Sequence, residues 1–270
     1  MTVSIFDPEA SQKKYEFWMR AAPPSKVYSI LFTPRSGSSW LTSILTQTKA
    51  MGTPSEWFNP ELMKSSSQAK GARDLDQFVN AISRHDIHGD TFGFEITHHQ
   101  LHAVFGSDQN FMTYFPNTLF FWLIRKDIVA QGVSLDKMVQ TNVSHASHYD
   151  ANEIESSDKS YDYDAGRIRK WISHIHAAEL ASEKMIADFN LAPVRLSYEQ
   201  ITQAGAQKVV ELFAAKLGLE GFAAQDAPPS DHRKIGTEKN DAFSERFRRE
   251  NQEFMDRIDA GRAEMLSFLD

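Results

Sequence analysis

The chain has 270 residues with 29 basic and 36 acidic side chains, a formal net charge of −7 and no cysteine. The absence of thiols excludes a disulfide scaffold, a zinc–cysteine module and a thiol enzyme, and the negative balance argues against non-specific nucleic-acid binding, which depends on basic patches. Apolar residues at 41 % and charged ones at 24 % suit a globular protein with a sizeable core. The start has no basic leader followed by an apolar core, and no uncharged apolar run approaches the ~18 residues of a membrane span. The expected address is the cytoplasm, and residues 1–270 are expected to form a single domain.

In chain order, the first apolar run is residues 27–32 (VYSILF), ended by Pro34 and followed by Trp40, Leu41, Ile44 and Leu45 at helical spacing. This reads as strand, loop, helix. Residues 91–97 (TFGFEIT) are a further strand candidate. Residues 118–124 (TLFFWLI), apolar on both faces, predict a buried strand that leads through Arg125 into a helix with Asp127 as N-cap. Residues 140–166 are polar and nearly free of aliphatic side chains, which predicts a mobile surface loop, or an acceptor-binding cover, that adds little to a core.

Ile168, Ile172, Ile175, Met185, Ile186 and Phe189 then form one helical stripe, and Pro193 sets up a short strand at Val194–Ser197. Val209, Val210, Phe213 and Leu217 form a second stripe, and Phe243, Phe247, Phe254, Ile258 and Met265 a third. Residues 223–239, with Pro228, Pro229 and Gly236, read as irregular. Strands alternating with helices predict an α/β fold around a mostly parallel sheet.

The sharpest local feature is Thr33-Pro34-Arg35-Ser36-Gly37-Ser38-Ser39-Trp40, small residues between an apolar strand and an amphipathic helix. Such a loop points backbone N–H groups and the positive helix end at one spot, which suits a phosphate or sulfate. Arg35 adds a planar cation, and Ser36, Ser38 and Ser39 add hydroxyl donors. The Walker A pattern is absent, which disfavours an ordinary ATPase or GTPase. The plainer reading is that Ser38 or Ser39 caps the helix while Gly37 makes the turn. Arg125 ends another strand and Ser134 follows in the next helix, so in a parallel sheet Arg125 and the Arg35 loop share one rim. Two anion sites on one rim suggest a ligand with two separated phosphates.

PRSGSSWL resembles the 5′-phosphosulfate loop of sulfotransferases, and RKDIVAQGVS, through Arg125, Asp127, Val129, Gln131, Val133 and Ser134, resembles their 3′-phosphate motif. The bacterial branch that includes trehalose 2-sulfotransferases is the best match, because Gly52-Thr53-Pro54-Ser55-Glu56-Trp57-Phe58 resembles its G-x-P-x-E-(W/F)-F element. A late E-R-(F/Y)-R appears at residues 245–248. The resemblance implies the sulfotransferase fold, a P-loop-like central sheet flanked by helices. It also implies 3′-phosphoadenosine 5′-phosphosulfate as donor, a small-molecule or glycan hydroxyl as acceptor, and a homodimer. By the same resemblance Arg35, with Ser36, Gly37, Ser38, Ser39 and Trp40, holds the phosphosulfate, while Arg125 and Ser134 hold the 3′-phosphate. Arg233, Lys234 and Lys239 match a basic loop that covers it, and Trp40 and Tyr198 flank the nucleotide or serve as packing. Glu56 stands at the general-base position, with Trp57, Phe58, Glu95 and His98 on the acceptor side. No metal is expected, since side chains can neutralise a phosphosulfate bridge.

Thr53-Pro54-Ser55-Glu56 also has the form of a capping box, with Thr53 at N-cap, Pro54 at N1 and Glu56 at N3, so Glu56 has a structural reading beside the catalytic one. Glu95 stands where relatives carry a Lys, a departure that bears on acceptor choice. His98, His99 and His102 cluster, but no Asp or Cys joins them at convincing ligand spacing in sequence; His145, His148, His174 and His176 read as loop or helix-surface residues. Two alternatives from other classes remain: a kinase-like phosphoryl transferase, and a non-catalytic nucleotide- or anion-binding protein of the same fold.

Overall fold

The computed structural model describes residues 5–85, 87, 90–143, 151–219 and 237–269. The first elements are α1 (Gln12–Trp18), β1 (Lys26–Phe32), α2 (Ser38–Gln47), α3 (Pro60–Lys70), α4 (Leu75–Ile82), β2 (Thr91–Ile96), α5 (His98–Phe105) and α6 (Asp108–Tyr114). There follow β3 (Leu119–Ile124), α7 (Ile128–Thr141), α8 (Ala151–Ser160), α9 (Ala165–Asp188), β4 (Val194–Ser197), α10 (Tyr198–Ala204), α11 (Ala206–Leu217), α12 (Glu238–Glu250) and α13 (Gln252–Ser267).

The four strands form one sheet in the order β2-β1-β3-β4, and every pairing is parallel. A parallel sheet is covered on both faces, so its strands must be apolar at successive positions. The alternation of side chains sorts them: Tyr28, Ile30 and Phe32 of β1 pack with Phe121 and Leu123 of β3 against Leu41 and Ile44 of α2 and Val210 and Phe213 of α11. Leu31, Phe120, Trp122 and Ile124 face the other layer, a phenylalanine-rich core with Phe58, Phe78, Phe94, Phe105, Phe111 and Phe115. Each such ring removed from water stabilises the fold by about 1.5–3 kcal/mol. A third cluster joins α7, α9, α12 and α13 through Val129, Val133, Ile168, Ile172, Phe247, Phe254 and Ile258.

Several expectations change. Residues 140–166 are not a loop throughout: α7 runs to Thr141, α8 occupies Ala151–Ser160, and α9 starts at Ala165. Tyr161 there is fully buried, and its hydroxyl donates to the Val133 carbonyl at 3.2 Å. One aromatic ring with a satisfied hydroxyl anchors this polar stretch, where aliphatic residues were the expected sign of a core. The third stripe belongs to two helices separated at Asn251, and Lys239 lies in the first turn of α12. No capping box forms at Thr53–Glu56, because no helix starts there and the next one begins at Pro60 with Asn59 as N-cap. The proline of that cap is Pro60, not Pro54.

Candidate active site

The strand ends define the site. Leu31 aligns with Ile96, Phe32 with Leu123 and Ile124 with Ser197. The segments that leave the four strands, starting at Thr33, Thr97, Arg125 and Tyr198, therefore share the carboxyl rim of the sheet, the usual ligand side of an open parallel sheet.

In the loop after β1, Arg35 and Gly37 both have left-handed backbones, φ 66° and 89°. For Arg35 this costs roughly 1 kcal/mol or more; Gly37 tolerates it because it has no β-carbon, and a β-carbon there would also lie 2.5 Å from Cδ2 of Tyr198. Gly37 is the N-cap of α2, and no side chain caps that helix. The plainer reading of Ser38 and Ser39 as caps is thereby corrected, and the first N–H groups of α2 are left to other acceptors. The loop is braced by α7. The Gln131 amide donates to Thr33 Oγ1 at 2.9 Å and to the Pro34 carbonyl at 2.7 Å, and Arg35 Nε donates to Ser134 Oγ at 3.0 Å. Ser36 Oγ is buried without a partner in the protein, a donor suited to an oxyanion.

Arg125 comes close enough for its charge, after burial, to pull the Arg35 guanidinium below its usual range. Two cations held together in this way suit a multiply charged anion. The Arg125 guanidinium lies 4.8 Å from the Tyr198 ring centroid, and its Nε is buried without a partner. Its backbone is fixed from two sides. Arg262 donates to the carbonyls of Arg125 at 2.6 Å and Lys126 at 2.9 Å, while pairing through two nitrogens with Glu179 in a wholly buried ion pair. The Glu199 carboxylate accepts from the backbone N–H groups of Lys126 and Asp127 at 2.9 and 3.2 Å. Arg248, from the late motif, reaches Asp127 at 2.5 Å.

Glu56 sits on the same rim beyond β2. The segment before it follows the outer edge of that strand, with Glu95 N donating to Ser55 O at 3.0 Å. Gly52 makes the close approach possible, since a β-carbon there would lie 2.5 Å from the Thr91 carbonyl. Glu56 Oε2 accepts from Asn59 Nδ2 at 3.0 Å and from Gln100 Nε2 at 2.5 Å. Beside it Glu95 is buried, 6 % exposed, and one of its carboxyl oxygens, Oε2, has no hydrogen-bond partner. Burial, and next the charge of Glu56, push the Glu95 carboxyl up to about 8, against a hydrogen bond with Ser38 that pulls it down. The charge of Glu56 is thus felt at Glu95, and Glu95 reaches Ser38 at the start of α2.

The structure brings Arg35, Ser36, Gly37, Ser38, Arg125, Ser134, Tyr198, Glu56 and Glu95 to one rim, where Ser39 and Trp40 continue the first turn of α2. The other expected residues have different settings. Phe58 is fully buried against Phe78, Phe94, Phe105 and Phe115, so it is a core residue with no surface for an acceptor. Trp57 is half-buried and donates to the Thr53 carbonyl at 3.3 Å. His98 makes its polar contact with Asp108. The Lys239 ammonium donates to the carbonyls of Asp158 and Lys159 at the end of α8, at 2.7 and 3.4 Å. Arg233 and Lys234, like His145 and His148, lie outside the described residues. Sequence reasoning missed Gln100, Glu199 and Arg262. The T-x-x-Q spacing of Thr97 and Gln100 signals a capping box and so a helix start after β2, whereas nothing local in sequence marks Arg262.

A parallel α/β sheet with a small-residue loop after one strand and a second arginine on the same rim is an architecture shared by many nucleotide-binding α/β proteins. More narrowly, the chain belongs to the Stf0 sulphotransferase family, whose model matches residues 94–250. The match takes in Glu95, Arg125, Ser134 and Tyr198 and begins after Arg35 and Glu56 in the chain. In three dimensions the chain is similar to a sulfotransferase from Alicyclobacillus acidocaldarius, with a TM-score of 0.50, 14 % identity, and coverage of 92 % of this chain and 97 % of that one. No curated protein matches the chain in sequence. No described helix is long and apolar enough to cross a membrane.

Proposed function

We propose that the chain moves a sulfuryl group from 3′-phosphoadenosine 5′-phosphosulfate to a hydroxyl of a carbohydrate or related small molecule, by in-line transfer with Glu56 as general base. The observation that carries this reading is the charge interaction of Glu56 with Glu95, which in turn bonds to Ser38 at the start of α2, so that a carboxylate stands near the Arg35 loop. The acceptor oxygen attacks sulfur as the bond from sulfur to the departing phosphate oxygen breaks. The hydroxyl proton passes to Glu56, at Oε1, since both amide donors occupy Oε2. Negative charge grows on the departing phosphate, where Arg35, the loop N–H groups and Ser36 Oγ supply donors. The two guanidiniums and Ser134 support a second phosphate on the donor, and Tyr198, stacked on Arg125, supports the nucleotide. Trp57 and Glu95 border the acceptor side.

A kinase-like phosphoryl transferase is the second reading, favoured by the paired Glu56 and Glu95 carboxyls, which resemble a Mg²⁺ ligand pair. Calorimetry separates the two. Binding of 3′-phosphoadenosine 5′-phosphate in the micromolar range without Mg²⁺, together with weak or absent ATP binding, supports sulfuryl transfer; tight Mg²⁺-dependent ATP binding overturns it. Turnover of labelled donor against a panel of hydroxyl acceptors then tests the base. In Glu56→Gln the amide oxygen still accepts from Asn59 and Gln100, so the fold is kept, while kcat falls by about 10²-fold or more.

A further inference from the structure

His98 and His102 stand one turn apart on α5, and Asp108 opens α6 after the tight turn at Gly106 and Ser107. The turn folds the aspartate back over the histidines. His98 Nε2 lies 3.2 Å, and His102 Nε2 3.0 Å, from the same oxygen, Asp108 Oδ1. The three ligand atoms all fall within 4.8 Å of one another. Ligands about 2.0–2.1 Å from a tetrahedral zinc ion are roughly 3.3 Å apart, so both distances to the carboxylate fit without rearrangement.

A surface ion pair explains only part of this arrangement. His102 makes a regular hydrogen bond to Asp108. His98, whose side chain is 13 % exposed, points its buried Nε2 at the same oxygen from 3.2 Å but without the geometry of a regular hydrogen bond.

We propose that His98, His102 and Asp108 form a binding site for a divalent transition-metal ion of the zinc class. Two imidazoles and one carboxylate are a donor set for zinc, cobalt or nickel rather than for magnesium or calcium, which take oxygen ligands. His102 is 46 % exposed, so the fourth position opens to solvent and takes a water. The ion would tie the first turns of α5 to the start of α6. The sequence hid the site because the ligands span eleven positions across two helices and a turn, outside the usual spacing patterns.

The test uses the full chain without a polyhistidine tag, stripped with a chelator and dialysed. Titration with Co²⁺ should give visible d–d bands that saturate at one ion per chain, and calorimetry with Zn²⁺ should give the same stoichiometry with micromolar or tighter affinity. His102→Ala and the nearly isosteric Asp108→Asn should each weaken binding at least about tenfold, with circular dichroism confirming that the variants are folded. Zn²⁺ should raise the Tm of the native chain and not that of Asp108→Asn. Absence of cobalt bands and of zinc heat in the native chain, or equal binding by the native chain and both variants, overturns the proposal.

Discussion

Gln100 donates from Nε2 to Glu56 Oε2 at 2.5 Å, while its Oε1 accepts the backbone N–H of Thr97 at 2.9 Å. The two ends of one amide therefore serve two tasks. The Thr97 N–H sets which way the amide faces, and that leaves the NH₂ group toward the carboxylate. Gln100→Ala is expected to lower kcat about tenfold with the donor KM unchanged and to cost about 1 kcal/mol of stability through the lost half of the capping box. Steady-state kinetics with a urea melt check both. An unchanged kcat removes Gln100 from the positioning of the base.

Glu95 gives a pH dependence with a defined sign. Its carboxyl titrates near 8 in the fold against an ordinary value of 4.5, so between those values the folded protein keeps a proton that the unfolded chain has released. Stability then falls as pH rises through that window and levels off above about 8. The burden at pH 7 is roughly 3 kcal/mol. Glu95→Gln should remove it, leaving a variant more stable than the native chain at pH 7 and nearly equal to it at pH 4.5. Parallel denaturation curves across pH 4.5–8 decide the matter; the same pH slope in both proteins shows that Glu95 is ionised at neutrality.

Gly37→Ala meets two obstacles, the left-handed backbone and the Tyr198 ring at 2.5 Å. The variant should lose about 1–2 kcal/mol and, as Tyr198 shifts from Arg125, bind 3′-phosphoadenosine 5′-phosphate about tenfold more weakly. Adding Tyr198→Ala should restore part of the stability but not the affinity. Calorimetry and thermal melts on the single and double variants follow both effects, and native-like binding by Gly37→Ala refutes the coupling.

Arg262 and Glu179 are both completely buried. Removing one partner strands the other charge, so Arg262→Met is expected to destabilise by about 3–5 kcal/mol. It also strips the Arg125 and Lys126 carbonyls of their donors, so donor-product affinity should fall although residue 262 touches no ligand. Denaturant melts and calorimetry test the two effects separately.

The sheet was legible because burial on both faces demands runs such as TLFFWLI, and the strand at Val194–Ser197 follows the sequence reading residue for residue. The strand, loop and helix around Arg35 were legible because an apolar run, small residues and a helical stripe follow one another within a few positions. Residues 140–166 misled because one buried tyrosine replaces the aliphatic residues by which a core is recognised. Thr53-Pro54-Ser55-Glu56 has the letters of a capping box, yet the Ser55 carbonyl is taken by Glu95 N of β2 and no helix starts there. Phe58 reads as part of a site motif, and tertiary packing makes it core. Arg262, Gln100 and Asp108 act across the fold on distant or turn-separated partners, and no local pattern foretells that.

The segment bearing Glu56 is hung on β2, an outer strand of the sheet, whereas Arg35 and Arg125 leave the inner pair β1 and β3. A border strand accepts new loops beside it without disturbing the interior. Under the proposed function, residues 52–57 can therefore be recut to fit one hydroxyl compound or another while the loops after the inner strands stay as they are, so that variation is confined to the margin of the sheet.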